Sequence, residues 1–139
     1  VGAGTLGFHL GPRINAAGRL DCAMSAVNLL KSSNFDEAFE IAEMLDASNQ
    51  ERRELEKQMV EEALSEIENS SYHQEAFGIV VGDEAWHPGV VGIVASRLVE
   101  KTGKPVIVIG ENHEVFCAIN FAAKANDTIG YCKNWLTAL

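Results

Sequence analysis

The amino-acid sequence predicts an α/β fold in which a mainly helical N-terminal part is followed by a parallel strand, helix, strand unit. Two observations carry this prediction. Between residues 35 and 68 there is no glycine or proline, and Ala, Leu, Glu, Gln, Met and Arg dominate, which favours one long helix. From residue 76 onwards the pattern changes to short runs rich in Val and Ile, which are typical of buried strands. With 139 residues, of which 47% are hydrophobic, the chain has the size of one globular domain or two small lobes.

The charge and the cysteine content exclude several classes of protein. A formal net charge of −9 argues against sequence-independent adhesion to nucleic acid or to anionic membranes, but leaves room for a local basic site. No apolar run approaches the roughly 20 residues that cross a bilayer, so we expect no membrane association. Cys22, Cys117 and Cys132 are odd in number and widely spaced, which favours a reducing cytoplasm. Because the chain begins at Val1 and not at a methionine, we expect a piece of a longer protein.

The N-terminal part is predicted to contain a loop and then a short helix. The segment "GPRINAAGRL", residues 11–20, has the glycines and the proline of a tight loop. Asp21 is a suitable cap for a helix from about Cys22 to Lys31. Asn34 then has the position of a cap for the long helix.

The long helix is apolar at both ends and polar in the middle, at "DASNQERRE", residues 46–54. This pattern predicts a rod whose two ends are buried in different lobes and whose centre lies in water. Arg52 and Arg53 in this centre are interpreted as partners of nearby glutamates rather than as ligand contacts. The apolar positions are Phe35, Ala38, Phe39, Ala42 and Leu45 at one end, and Leu55, Met59, Ala63 and Ile67 at the other.

The C-terminal part begins after a turn, "NSSYHQE". We predict strands at residues 76–82 and 104–110, with a helix between them that starts at Pro88 and stops at Gly103. Both strands are apolar without alternation, which predicts a parallel pair that is covered on both faces.

The loop "DEAWHPGVVG" places Trp86, His87 and the backbone of Gly89 at the N-terminus of that helix. Helix N-termini attract anions, and His87 adds a donor, so these residues are candidates for phosphate binding. From spacing alone, a capping or packing role for His87 is the more common one. Trp86 is suited equally to stacking on a base and to covering the edge of the sheet.

In "GPRINAAGRL" the candidates are Arg13, Asn15 and Arg19. The small residues let the backbone approach a ligand, and the planar guanidinium groups suit phosphate. Asn15 is able to hold a base edge or to orient an arginine. The alternative is a structural loop whose arginines pair with carboxylates such as Asp21.

Motifs for catalysis within this chain are absent from the sequence. His9, His73, His87 and His113 stand far apart, and no metal-ligand spacing, Ser/His/Asp arrangement or phosphate-binding GxxxxGK[ST] loop occurs. The sequence therefore predicts no catalytic residue and no metal ligand in this chain.

Three stretches, "GFHLGPRINAAGRLDCAMSAVNLL", "LDASNQERRELEKQMVEEA" and "WHPGVVGIVASRLVEKTGKPVIVI", closely resemble the RecJ family of the DHH phosphoesterase superfamily, over roughly residues 6–109. The resemblance implies three parts. Residues 1–33 are the C-terminal end of a DHH domain, 34–69 the interdomain helix, and 70–139 part of a DHHA1 domain. The DHH motif and the aspartates and histidines that hold two Mn or Mg ions would lie upstream, in a missing N-terminal DHH domain.

The same resemblance implies a function for the whole protein: 5′→3′ exonuclease action on single-stranded DNA by metal-dependent hydrolysis, in DNA repair and recombination. This chain alone is expected to be inactive and to bind no metal. Its implied nucleic-acid-binding residues are Arg13, Asn15, Arg19, His87 and Gly89. One alternative is a DHH phosphoesterase that acts on oligonucleotides or cyclic dinucleotides, and another is a non-catalytic module that binds nucleic acid or a partner.

The C-terminal stretch departs from the family pattern. After "PVIVIG" the family has a glycine- and serine-rich "GSGRS"-type segment that receives the terminal phosphate, and residues 111–139 contain no counterpart. The resemblance therefore assigns no terminal-phosphate site to residues of this chain. A strand at 114–122 and a weak helix at 128–139 are expected instead.

Overall fold

A computed structural model describes residues 2–20, 23–111 and 115–120 of the chain. The backbone divides into two compact units, Val1–Leu55 and Glu56–Leu139. The boundary between them falls inside the long helix.

The first unit opens with a helical run and not with a loop. Helix α1 (Ala3–Thr5) leads into a π-helical turn (Leu6–Leu10), which leads into helix α2 (Gly11–Leu20). The segment "GPRINAAGRL" is therefore the whole of α2, and the prediction of a loop at this segment is wrong. The predicted cap of the next helix, Asp21, lies outside the described residues.

Two features explain why this segment is helical despite its glycines and its proline. The π turn ends in a hydrogen bond from the N–H of Gly11 to the carbonyl of Leu6, which accommodates Pro12, a residue without an N–H to donate. Ala16 and Ala17 are 0% and 2% exposed, and burial of one helix face stabilises a helix more than propensity does.

Helix α3 (Met24–Lys31) and helix α4 (Phe35–Asn69) follow. The single helix predicted from about residue 35 to 68 is confirmed. Its predicted cap is confirmed too, because the side-chain Oδ1 of Asn34 accepts from the N–H of Asp36 at 3.0 Å.

The two ends and the centre of α4 differ in part from the prediction. At the N-terminal end Leu45 is buried, but Phe35 and Phe39 are 80% and 53% exposed, and their rings stack on each other with centroids 6.2 Å apart. In the polar centre Asn49 is only 1% exposed, and its Oδ1 lies 3.5 Å from a guanidinium nitrogen of Arg52. The centre is therefore not fully hydrated.

In the second unit, the C-terminal half of α4 buries the predicted apolar face, at Met59, Ala63 and Ile67. The following turn contains a short helix, α5 (Ser71–Glu75), which the sequence did not predict. The hydroxyl of Ser70 accepts from the N–H of His73 and caps this helix.

The strand, helix, strand unit is confirmed as β1 (Ile79–Asp83), α6 (Pro88–Thr102) and β2 (Val106–Glu111). Strands β1 and β2 are parallel, and a third strand, β3 (Val115–Asn120), pairs antiparallel with β2. The strand predicted near residues 114–122 is therefore present. The helix predicted at 128–139 lies outside the described residues.

The core of the second unit lies between α6 and one face of the sheet. The prediction that both strands are covered on both faces is wrong for β1, because Val80 between the buried Ile79 and Val81 is 45% exposed. Helix α6 covers one face of the sheet, and the exposed Val80 alternates along β1 with the buried Ile79 and Val81. The buried core residues of α6 and β2 are Val90, Val91, Val94, Ala95, Leu98, Val106 and Val108.

A network of charged side chains joins α6 to α4 within this unit. Nε of Arg97 donates to Glu56 at 3.0 Å, and Nη1 donates to Glu100 at 3.1 Å. These hydrogen bonds, that to Glu56 first, raise the pKa of the Arg97 guanidinium above its ordinary value. The two carboxylates thus stabilise the charged form of the guanidinium.

Gly92 within helix α6 and Gly103 at its C-terminal cap differ in backbone conformation and can be compared by the same substitution. Gly103 ends the helix in the left-handed conformation, at φ 69°, whereas Gly92 is exposed inside the helix, and a Cβ meets nothing within 4 Å at either position. We expect Gly103→Ala to lower the free energy of unfolding by about 1 to 2 kcal/mol through backbone strain alone. Gly92→Ala should raise it by about 0.5 to 1 kcal/mol. Urea melts of both variants measure this, and effects of the same sign would contradict the assignment of the helix end.

Candidate nucleic-acid interface

The five residues predicted to bind nucleic acid lie in both units. Arg13, Asn15 and Arg19 project from α2 in the first unit. His87 and Gly89 lie at the start of α6 in the second unit. The two parts of this interface are described separately.

Helix α2 separates its three candidates onto two faces. Asn15 and Arg19 are four residues apart, so they share one face, and both are exposed. Together with Gly18 and with Ala26 and Leu30 of α3, they line a groove of about 490 Å³. The helix period turns Arg13 away from this groove. The structure thus brings together two of the three predicted residues.

Arg13 is held by the long helix. Its Nε donates to Oδ1 of Asp46 at 2.7 Å, and its Nη1 donates to the carbonyl of His9 at 2.7 Å. The other oxygen of Asp46 accepts from Gln50 at 3.2 Å. The side chains of Arg13 and Asp46 are 37% and 39% exposed, so the ion pair remains accessible to water. The structural alternative for Arg13 was an ion pair with a carboxylate. Arg13 forms such a pair, and the carboxylate belongs to Asp46.

At the start of α6, His87 is the N-cap residue. Its Nδ1 accepts from the N–H of Gly89 at 3.1 Å, and its carbonyl accepts from the N–H of Val90 at 3.0 Å. Pro88 has no N–H. The imidazole proton is therefore assigned to Nε2, which is the donor available to a ligand. An anion that binds to the N–H of Gly89 must first displace the His87 cap.

Trp86 directly precedes His87 in the loop between β1 and α6. The residue is 3% exposed, and its Nε1–H donates to Oε2 of Glu62 on α4 at 2.8 Å. In this arrangement the faces of the ring are covered, so the side chain acts as a hydrophobic cover and not as a surface for base stacking.

Sequence reasoning missed three residues that shape the interface. Asp46 and Glu62 are 33 and 24 residues away from the side chains that they hold, and no local pattern links such pairs. Gly110 had a recognisable signal, because a glycine within a strand often marks the close approach of another backbone. A Cβ at Gly110 would lie 2.6 Å from the carbonyl oxygen of Trp86.

The described part of the chain contains neither a cluster of metal ligands nor a helix that could span a membrane. Within residues 2–20, 23–111 and 115–120, no group of three or more His, Cys, Asp or Glu side chains is arranged to hold a metal ion. None of the helices in these ranges is both long enough and apolar enough to cross a membrane.

Known proteins resemble this chain in sequence and in structure. The single-stranded-DNA-specific exonuclease RecJ of Bacillus subtilis is 46% identical over 110 residues, which cover 79% of this chain and 14% of the relative. The RecJ of Escherichia coli is 46% identical over 109 residues, covering 77% and 19%. A crystal structure of exonuclease RecJ bound to manganese superposes with a TM-score of 0.70 at 37% identity, covering 79% of this chain and 27% of the other. The RecJ of Thermus thermophilus in complex with Mn²⁺ gives 0.67 at 38% identity, covering 76% and 16%. No model of a protein family matches.

The relatives share one class, the single-stranded-DNA-specific exonucleases, and the parallel strand, helix, strand unit fits their fold. Over its matched residues, this chain belongs to the RecJ family. It spans only 14% of the length of the Bacillus subtilis relative and 19% of the Escherichia coli relative.

The pair of Arg13 and Asp46 can be tested by a double-mutant cycle of Arg13→Ala and Asp46→Ala. We expect a coupling energy of up to about 1 kcal/mol at low salt, which falls as salt screens the half-exposed charges. Lys57 and Glu61 are the control pair, since they lie 3.9 Å apart at 77% and 68% exposure and should couple by no more than about 0.5 kcal/mol. Denaturant melts measure both cycles. Zero coupling between Arg13 and Asp46 would show that the contact does not stabilise the unit.

Proposed function

We propose that this chain is a part of a RecJ-like exonuclease that hydrolyses single-stranded DNA from the 5′ end. The observation that carries the proposal is the 46% identity over 110 of its 139 residues to a protein of that name. The relatives at this level are all RecJ proteins, which favours this function over a phosphoesterase for cyclic dinucleotides and over a non-catalytic module.

In this proposal the chain contributes to DNA binding from both of its units. Arg19 and Asn15 contact phosphate and base edges from the groove of about 490 Å³ between α2 and α3. Arg13 contacts a phosphate with guanidinium donors that Asp46 and His9 do not use. His87 donates from Nε2, and the dipole of α6 adds to the attraction.

The proposed domain organisation follows the family. Residues 1–33 form the end of a DHH domain, residues 34–69 the connecting helix, and residues 70–139 part of a DHHA1 domain. The boundary between the two compact units differs from these domain boundaries. It lies between Leu55 and Glu56, so each half of the long helix belongs to a different unit.

The solved relatives are bound to manganese or to magnesium, and such ions need several oxygen or nitrogen ligands that converge on one point. The described residues of this chain do not provide such a set. We therefore propose that the ions are held by residues upstream, in a DHH domain, and we assign no step of hydrolysis to this chain.

This proposal predicts that the isolated chain does not degrade DNA. Purified chain incubated with 5′-labelled single-stranded DNA and manganese should give no shortened products, because its described residues do not provide the metal ligands that activate water. The full-length protein is the positive control under the same conditions. Digestion by the isolated chain that a chelator abolishes would contradict the proposal.

A second prediction concerns the groove on α2. In the full-length protein, Arg19→Ala should weaken binding of single-stranded DNA by about 1.5 to 3 kcal/mol, the contribution of one charge-assisted contact. It should also reduce the slope of log affinity against log salt by about 0.7. The free energy of unfolding should change by less than about 0.5 kcal/mol, because Arg19 is exposed.

Arg53→Ala is the matched control for Arg19→Ala. Arg53 is also an exposed arginine of the first unit, so its removal changes the net charge equally without touching the groove. Its effect on affinity should be small. If Arg19→Ala lowers the melting temperature but leaves DNA binding at the level of Arg53→Ala, then Arg19 has a structural role only.

A further inference from the structure

The side chain of Trp86 is a fixed point in the loop between β1 and α6. The residue is 3% exposed, and its Nε1–H donates to Oε2 of the exposed Glu62 at 2.8 Å. The other oxygen of the same carboxylate, Oε1, accepts from Gln58 at 2.9 Å, one turn earlier on α4. Without Glu62 the indole would lose a hydrogen bond to a charged acceptor, so this carboxylate contributes to fixing where the indole lies.

The backbone of the loop is fixed as well. The N–H of Trp86 donates to the carbonyl of Asp83 at 3.2 Å, and Oδ1 of Asp83 accepts from the N–H of Ala85 at 2.8 Å. The carbonyl oxygen of Trp86 lies against Gly110 of β2, where a Cβ would approach it to 2.6 Å. The position of Trp86 is thus set by its indole and by both of its peptide groups.

His87 follows directly in the chain. Its Nδ1 is occupied by the N–H of Gly89, which leaves Nε2–H as the donor that points away from the cap. Because the peptide bond is planar, a fixed carbonyl of Trp86 also fixes the nitrogen of His87.

We propose that Glu62 is a positioning residue for binding of single-stranded DNA: its carboxylate holds Trp86 and thereby sets the place of the His87 imidazole. This inference rests on the proposed function, because it requires that His87 contacts DNA.

The sign of the effect separates positioning from simple electrostatics. If Glu62 affected DNA only through its charge, then Glu62→Ala would tighten binding, since an anion that repels phosphate is lost. If Glu62 positions His87, the same substitution weakens binding. Glu61→Ala removes an equal charge from the adjacent position of α4, an exposed side chain that pairs with Lys57, and measures the electrostatic part alone.

The experiment uses the full-length protein and measures kcat, KM and Kd for single-stranded DNA, with a thermal melt of each variant. His87→Ser keeps an N-cap oxygen but loses the imidazole, and should raise KM about tenfold with little change in kcat. Glu62→Ala and Trp86→Phe should each raise KM by about three- to tenfold, because each removes one side of the same hydrogen bond. Glu62→Gln retains an acceptor, so it and Glu61→Ala should stay within about twofold of the wild type.

A double variant tests whether Glu62 affects DNA binding through His87. If Glu62 acts through His87, then Glu62→Ala combined with His87→Ser has the KM of His87→Ser alone. Multiplication of the two effects would overturn the proposal. If Glu62→Ala does not fold, Trp86→Phe carries the test, because the phenyl ring keeps most of the packing.

The remaining outcomes distinguish this inference from the proposed function. A normal KM for Glu62→Ala and Trp86→Phe, beside a raised KM for His87→Ser, would overturn the role of Glu62 and leave the DNA contact of His87 intact. A normal KM for His87→Ser would overturn both the contact of His87 and the inference that depends on it.

Discussion

Both parts of the candidate interface depend on the unbroken backbone of helix α4, which runs for 35 residues and contributes to both compact units. In the first unit, Asp46 on this helix holds Arg13 at 2.7 Å. In the second unit, Glu62 holds Trp86 at 2.8 Å. Each carboxylate is also bonded to a glutamine of the same helix, which limits its rotamers. The absence of glycine and proline from α4 keeps each of these carboxylates on regular helical backbone within its own unit.

The parts of the fold that the sequence predicted are those with strong local signals. Asn34 and Asp36 mark the start of α4, and Pro88 and Gly103 mark the two ends of α6, because caps and left-handed ends depend on neighbouring residues only. The parallel pairing of β1 with β2 follows from the helix between them. Exposure was harder to predict, as Val80 shows: its run of Val and Ile has the pattern of a strand buried on both faces, yet burial depends on what lies against it.

The candidate site was predicted by residue type but not by arrangement. The sequence predicts Arg13, Asn15 and Arg19 as one cluster on a loop, because glycine and proline are the usual signals of loops. On a helix, the same three residues divide: Asn15 and Arg19 share a groove, and Arg13 faces Asp46. The partner of Arg13 is 33 residues away, and a single sequence contains no local signal for such a contact. The tertiary packing of Ala16 decided the conformation, and with it the division of the site.

Two acidic residues of the chain, Asp46 and Glu62, form these contacts. A net charge of −9 opposes the approach of DNA, yet Asp46 and Glu62 are engaged with N–H donors of the candidate interface. Under the proposed function, a carboxylate beside Arg13 weakens the attraction of this guanidinium for phosphate, but it also restricts the guanidinium to fewer orientations before DNA binds. The ion pair thus exchanges part of the affinity of this contact for a more fixed orientation of the guanidinium. Under the proposed function this exchange is favourable, because an exonuclease must bind each phosphate in register and release it again after every cleavage.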